Sequence, residues 1–320
     1  EAAQQRYLAS TYGRAAARGA LIAEVLRAYT AERTAAQELQ QLQSLDADNA
    51  ALLAMTERRY QVGLIARDQR DAQRRQAEQA HVAALQGNDN HAAAVRALQL
   101  LAGYDSTPVP GDLQGLIAAQ TPASAWRALD SSLLLQRPDI QQAELELRAA
   151  NADIGAARAA FFPSITLSTS VGTASDGLSG LFAGGHRLWT FMPQLNLPLF
   201  DGGLHRANLE LAQLRKRADV LAYEQAIESA FREVANALDA YATLSQAEPR
   251  ARAQVEREQL RLARLCKRVD TGLEDRSMLL AERMRIAQIE LDYLGIARQR
   301  ALSRIALFQA FYGVRLPAFS

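Results

Sequence analysis

Few side chains in this sequence have types and spacing suited to chemistry. His81, His91, His186 and His205 share no metal-ligand spacing. The run Gly87-Asn88-Asp89-Asn90-His91 brings one imidazole near one carboxylate, interrupting a helical pattern. One His with one Asp is too small a ligand set for a metal, so packing or local flexibility is the better reading of that run. Cys266 is the single cysteine, with no partner for a disulfide and no activating neighbour, and reads as a small apolar residue on a helix. There is no Ser-His-Asp signature, phosphate-cradling glycine loop or cysteine cluster. No catalytic residue, cofactor or metal is expected. With 36 basic against 35 acidic residues, the net charge of +1 supplies no bulk field toward nucleic acid.

Charge and glycine do converge at two turns, Gly63-Leu64-Ile65-Ala66-Arg67-Asp68 and Gly272-Leu273-Glu274-Asp275-Arg276-Ser277. Glycine permits the left-handed residue that ends a helix, so each turn reads as the bend of a helical hairpin. The charges that follow (Asp68, Arg70, Asp71, Arg74, Arg75; Asp275, Arg276, Glu282, Arg283) suit pairs between helices or a solvated face.

The elements that position these turns are long helices. Ala, Gln, Leu, Arg and Glu dominate while aromatics are 6%, a composition for helices packed through narrow seams. Helical patterning covers residues 1–62, 67–101, 138–160, 205–269 and 276–311. A Pro- and Gly-rich cluster at 105–111 opens an irregular connector with a short helix near 123–129. Arg137-Pro138-Asp139 is a good helix start. The expected segments are a helical hairpin (1–103), a connector (104–135), a helix (136–160), a strand pair (161–204), a second hairpin (205–313) and a tail (314–320). No apolar run approaches the ~18 residues of a membrane helix.

Sliding the chain by 209 residues matches it to itself without a gap over about a hundred positions. Glu1, Ala3, Gln4 and Arg6 fall on Glu210, Ala212, Gln213 and Arg215, Arg59 on Arg268, and Gly63-Leu64 on Gly272-Leu273. The second unit opens with a helix and a strand pair; the first unit's copy of these is expected before residue 1. Met284, Ala287, Leu291, Leu294, Ala301, Ile305, Phe308 and Tyr312 step by threes and fours, with Arg298 intruding. Ile227, Phe231, Val234, Leu238 and Tyr241 do the same, the 3.5-residue repeat of a coiled-coil seam.

Between the helices lie two runs of period two. Ile165, Leu167, Thr169 and Val171 alternate with Ser164, Thr166, Ser168 and Ser170. Trp189, Phe191, Leu195, Leu197 and Leu199 alternate with Thr190, Met192, Gln194 and Asn196, and Gly177 to Gly185 reads as the loop between. A soluble hairpin packed on helices and a lipid-facing hairpin both fit this pattern. Narrow helical seams offer little surface to cover a sheet, whereas pooling hairpins from several chains closes every edge.

Leu135-Gln136-Arg137-Pro138-Asp139-Ile140, the stretch from Ala149 through Phe161-Phe162-Pro163-Ser164-Ile165, Pro198-Leu199-Phe200-Asp201-Gly202-Gly203 and Tyr223-Glu224-Gln225-Ala226-Ile227 closely resemble the TolC-like outer-membrane efflux proteins. The nearest branch is the lipoprotein one serving resistance–nodulation–division pumps. The resemblance implies a mainly α chain with a membrane β-hairpin: a homotrimer with a twelve-stranded barrel in outer-membrane lipid above an α-barrel of long antiparallel coiled-coil helices in the periplasm. It implies a passive duct for drugs and other small toxic compounds in a Gram-negative bacterium, coupled to a periplasmic adaptor and an inner-membrane pump, and no enzyme. Ile165, Leu167, Val171, Trp189, Phe191, Leu195, Leu197 and Leu199 would then face lipid. Gly63, Leu64, Arg67, Asp68, Gly272, Leu273, Glu274 and Asp275 would form the periplasmic tips that meet the adaptor. Asp71, Ser277, Ala281 and Glu282 are the gate candidates; the family's acidic gate residue falls at Ala281 here. The family's signal peptide, lipidated cysteine and first strand pair are not in this sequence, and two of four expected strands are. The runner-up reading is a soluble periplasmic coiled-coil scaffold or adaptor, for which no compact β or lipoyl-like domain is evident.

Overall fold

The computed structural model describes residues 1–103, 123–173 and 187–314. Most of the expected connector, the Gly177–Gly185 loop and the tail beyond residue 314 lie outside them. In chain order the elements are α1 (Ala2–Gln61), α2 (Arg67–Ala102), α3 (Ala123–Arg127), a 3-10 turn (Ser131–Gln136), α4 (Pro138–Ala159), β1 (Ser164–Thr173), β2 (Arg187–Asn196), α5 (Leu204–Asp270) and α6 (Arg276–Ala310). α1 and α5 run 60 and 67 residues. α5 continues through Pro249, whose missing N–H leaves one turn of the helix short of a bond.

Two compact units divide the chain. One holds residues 1–14 and 138–227, the other 15–137 and 228–320, so α1 and α5 contribute to both. In the first unit, α1 meets α4 through Arg6 and Asp153, and Gly13 leaves room for the Gln142 side chain. Lys216 of α5 donates to Asn151 of α4 at 2.8 Å. Pro138 sits at the first turn of α4, where a missing N–H costs nothing. Asp201 caps α5, accepting from the N–H groups of Gly203 (2.9 Å) and His205 (2.7 Å), which hold its carboxyl below the ordinary range. Gly202 and Gly203 take the positive φ this turn requires.

The second unit packs through small residues. Ala23, Ala77, Ala84, Ala230, Ala237, Ala287, Ala297 and Ala301 are buried at its helix seams. Thr30 and Thr34, also buried, satisfy their hydroxyls on carbonyls one turn back. Leu134 of the 3-10 turn, with Trp126 and Leu129, packs on Ala237, Tyr241, Leu307 and Phe311. Arg137 follows it and is 6% exposed; it donates to the Ala310 carbonyl at 3.2 Å and to Glu233 at 2.8 Å. That ties the entry to α4 to the end of α6.

Two sequence expectations change here. The run Gly87–His91 does not break its helix, since α2 is continuous to Ala102. Gly87 is a packing glycine: a Cβ there would lie 2.7 Å from a Leu42 methyl, and His91 reaches the buried Glu32 at 3.5 Å. Replacing Gly87 by leucine should force α1 and α2 apart and lower stability by about 1–3 kcal/mol. Thermal melting of the variant beside Gly87→Ala would show it; an unchanged leucine variant would disprove the close approach.

The seam of α6 holds at Ala287, Leu294, Ala301 and Ile305, which are buried, and departs from expectation at Phe308. Leu280, Ala287, Leu294 and Ala301 are buried at heptad spacing, with Leu307 buried while Phe308 is 40% exposed. Phe231 of α5 is likewise exposed, with Ala230 buried beside it. Arg298 is exposed; the buried arginine of α6 is Arg300, paired with the buried Glu248.

Candidate functional site

β1 and β2 form one antiparallel pair in which Ile165 faces Leu195, Leu167 Pro193, Thr169 Phe191 and Val171 Trp189. Ser164 faces Asn196, Thr166 Gln194, Ser168 Met192 and Ser170 Thr190 on the other side. This register puts the branched and aromatic side chains on one face and the small polar ones on the opposite face, broken by Met192 and Leu188. On the polar face the Ser170 hydroxyl donates to Thr190 at 3.1 Å. Ile165, Leu167, Val171, Trp189 and Leu195 are each at least 60% exposed, so among the described residues nothing covers the apolar face. Ten-residue strands match the length that crosses a bilayer at a tilt. Leu197 and Leu199 lie past the end of β2, because β1 starts only after Pro163, and Ser164 already pairs with Asn196. Phe161, Phe162, Leu199 and Phe200 add exposed apolar surface at that end.

The two helical turns are structural copies. Gly63 and Gly272 both have φ 75°, and each turn closes with the same two bonds. Gly63 and Leu64 donate to Tyr60 and Arg59, and Gly272 and Leu273 to Val269 and Arg268, all at 2.9–3.0 Å. This double bond pattern satisfies the last helix carbonyls. Leu64 and Leu273, 73% and 72% exposed, project from the two turns.

Their electrostatics differ. Asp275 caps α6: the Ser277 hydroxyl donates to it at 2.6 Å and the Arg59 guanidinium at 2.7 Å. With the Ser277 N–H these bonds hold its carboxyl down at about 2. Ala66, at the matching place in the first turn, makes no side-chain cap. Glu274 pairs with Arg268 at 2.6 Å. Asp71 sits between Arg67 (3.5 Å) and Arg70 (2.5 Å), and the Arg70 guanidinium lowers its pKa. Asp68 is exposed and makes no bond among the described residues, and Ala281 is exposed. Glu282, bonded by Arg285 at 2.8 Å and reached by Arg261 at 3.4 Å, titrates below its ordinary value. Asp48 pairs with Arg283 at 3.0 Å, yet burial pushes its pKa up. Sequence reasoning overlooked Arg59 and Arg268 as tip residues. The signal was present, since both stand four residues before the turn glycine in the two repeats.

Metal ligands do not gather: no group of three His, Cys, Asp or Glu side chains forms among the described residues. The described residues display an uncovered amphipathic strand pair and two helical hairpins that repeat one another, the features of the outer-membrane class that the sequence resembles. Comparison with known proteins agrees. The outer membrane efflux protein family profile matches residues 129–311. Outer membrane protein OprJ of Pseudomonas aeruginosa is 40% identical over 98% of this chain and 65% of its own length. The toluene efflux pump outer membrane protein TtgF of Pseudomonas putida is 38% identical, with the same shares covered. A crystal structure of a membrane protein from Pseudomonas aeruginosa superposes with TM-score 0.78 at 38% identity, over 97% of this chain and 71% of that one. The chain belongs to the outer membrane efflux protein family and is an outer-membrane protein. It spans about two thirds of the length of the relatives it matches.

Proposed function

We propose that this chain is part of the exit duct of a tripartite efflux pump, a passive conduit for drugs or other small toxic compounds. Copies of the chain, three by family resemblance, pool their strand pairs into a barrel in outer-membrane lipid. The duplicated hairpins extend into the periplasm and end at the Gly63 and Gly272 turns, which meet an adaptor coupled to an inner-membrane pump of the resistance–nodulation–division type. The observation that carries this reading is the register of β1 and β2, which aligns their exposed apolar side chains on one face. A sheet with two open edges and one bare apolar face is unstable alone and is satisfied by closure in lipid. The name of TtgF attaches toluene efflux to a relative, which supports small apolar compounds as cargo. Chemistry is left to the partners, and the duct needs only an opening tip. The mass of the whole protein with and without detergent tests the assembly: a detergent-dependent trimer is expected, and a detergent-independent monomer would overturn it.

The Arg59–Asp275 pair is then a latch between the two hairpin tips. Asp275 titrates below its ordinary value of 3.8, so the latch is complete above about pH 4 and is lost as pH falls toward 2. In planar bilayers at pH 7, Asp275→Asn should raise the open probability toward that of the parent protein in acid. Equal conductance of parent and variant across this range would show that the pair does not restrain the tip.

A further inference from the structure

The cross-contacts of α1 with α6 fix an antiparallel register. Arg27 meets Gln309, Asp48 meets Arg283 and Arg59 meets Asp275, so that paired residue numbers add to between 331 and 336. Gln41 and Leu294 line one cavity of about 260 Å3 in the same register. The 209-residue repeat turns α1 into α5 and α6 into α2. The α1–α6 seam therefore has a counterpart between α5 and α2 with the same sums. No hydrogen bond or ion pair joins α2 to α5 among the described residues.

Both faces of that missing seam are prepared. Arg250, Arg257 and Arg264 stand one heptad apart on α5, all exposed and without a hydrogen bond or ion pair among the described residues. On α2, Leu85, Glu78 and Asp71 have the same spacing. Leu85 is 56% exposed and Glu78 is exposed and unpaired. Matching Arg250 with Leu85, Arg257 with Glu78 and Arg264 with Asp71 gives 335 each time, inside the register of the seam the chain already makes.

We propose that α2 of a second copy docks along α5 of this chain in that register, with Arg257 meeting Glu78 and Arg264 meeting Asp71 of the second copy. This rests on the assembly reading above and adds the residues that specify the neighbour. At the repeat position of Asp48 the charge is reversed. Inside the chain Asp48 of the first helix meets Arg283 of the second, whereas its repeat counterpart Arg257 is a base, so that between copies a base meets an acid, as Arg59 meets Asp275 at the internal tip. Arg74, at the repeat position of Arg283, is engaged by Glu57 at 3.2 Å, and the acceptor moves one helical turn on to Glu78. An α6-type face presented to α5 would set Arg283 against Arg257, a like-charge contact that rejects the wrong neighbour. At this position the two kinds of seam are not interchangeable, although their helices are repeat copies.

Disulfide trapping in the whole protein, with Cys266→Ser as background, tests this. Co-expressed Arg257→Cys and Glu78→Cys chains should give a covalent dimer on oxidation. Neither variant alone should do so, nor should Arg257→Cys with Leu85→Cys, which is one heptad out of register. Arg257→Glu should cost the assembled species at low protein concentration, and adding Glu78→Arg should restore it. An assembled protein, by mass in detergent, that gives no 257–78 dimer or instead a 257–85 dimer overturns the register while leaving the assembly reading intact. A monomer by mass sinks both.

Discussion

Arg300→Met should destabilise the second unit by about 3–5 kcal/mol, the usual cost of leaving a buried charge without its partner. Arg300 and Glu248 are 2% and 3% exposed and pair directly, with the Tyr293 hydroxyl donating to the same carboxylate at 3.2 Å. Removing the guanidinium takes from the buried Glu248 carboxylate the cation that pairs with it directly. Glu248→Leu in the same chain should recover most of the loss, because an apolar pair of similar volume has no charge to desolvate. Thermal unfolding of the parent, both single variants and the double variant closes the cycle. A double variant as unstable as Arg300→Met would show that the guanidinium stabilises through packing and not through the carboxylate.

Leu167→Arg should block membrane assembly where Thr166→Arg does not. The two residues are adjacent in β1 but face Pro193 and Gln194, on opposite sides of the sheet. An arginine on the lipid face near mid-bilayer costs about 2–4 kcal/mol per copy, while a lumen-facing one stays hydrated. Every copy carries the substitution, so the penalty multiplies over the assembly. Heat-resistant oligomer on a gel, and drug susceptibility of cells relying on the channel, both read the contrast. Equal tolerance of the two variants would mean that the apolar face is covered by protein.

Much of this structure was legible because periodicity is local. Pro138 marks the start of α4 and the turn glycines mark the ends of α1 and α5 within a residue or two. The alternation of Ile165, Leu167 and Val171 survives as one face of a sheet. What sequence could not show is which residue of an adjacent pair turns inward at every step. Many buried seam residues are alanine, which carries little hydrophobic signal, so spacing favours the larger Phe308 and Phe231 where Leu307 and Ala230 are the buried ones. Arg298 stands at a seam position by spacing, yet Arg300 is the buried one. His91, at the repeat position of Arg300, likewise meets a buried glutamate, Glu32, and only the fold reveals that equivalence. The tip pair of Arg59 with Asp275 joins residues 216 apart, beyond any local pattern.

That separation implies an order of events. The contact of Glu57 with Arg74 spans 17 residues, so a helical hairpin closes around its glycine turn with little loop entropy to overcome. The α1–α6 seam must wait until both hairpins exist and more than two hundred residues have been made, so it forms late and with the higher contact order. Segments with few buried apolar contacts open first under local unfolding, and at the tips Val62, Leu64 and Leu273 are exposed. The region nearest Arg59 and Asp275 should therefore exchange its amide hydrogens soonest. That late-forming joint is the one that can part while each hairpin stays folded.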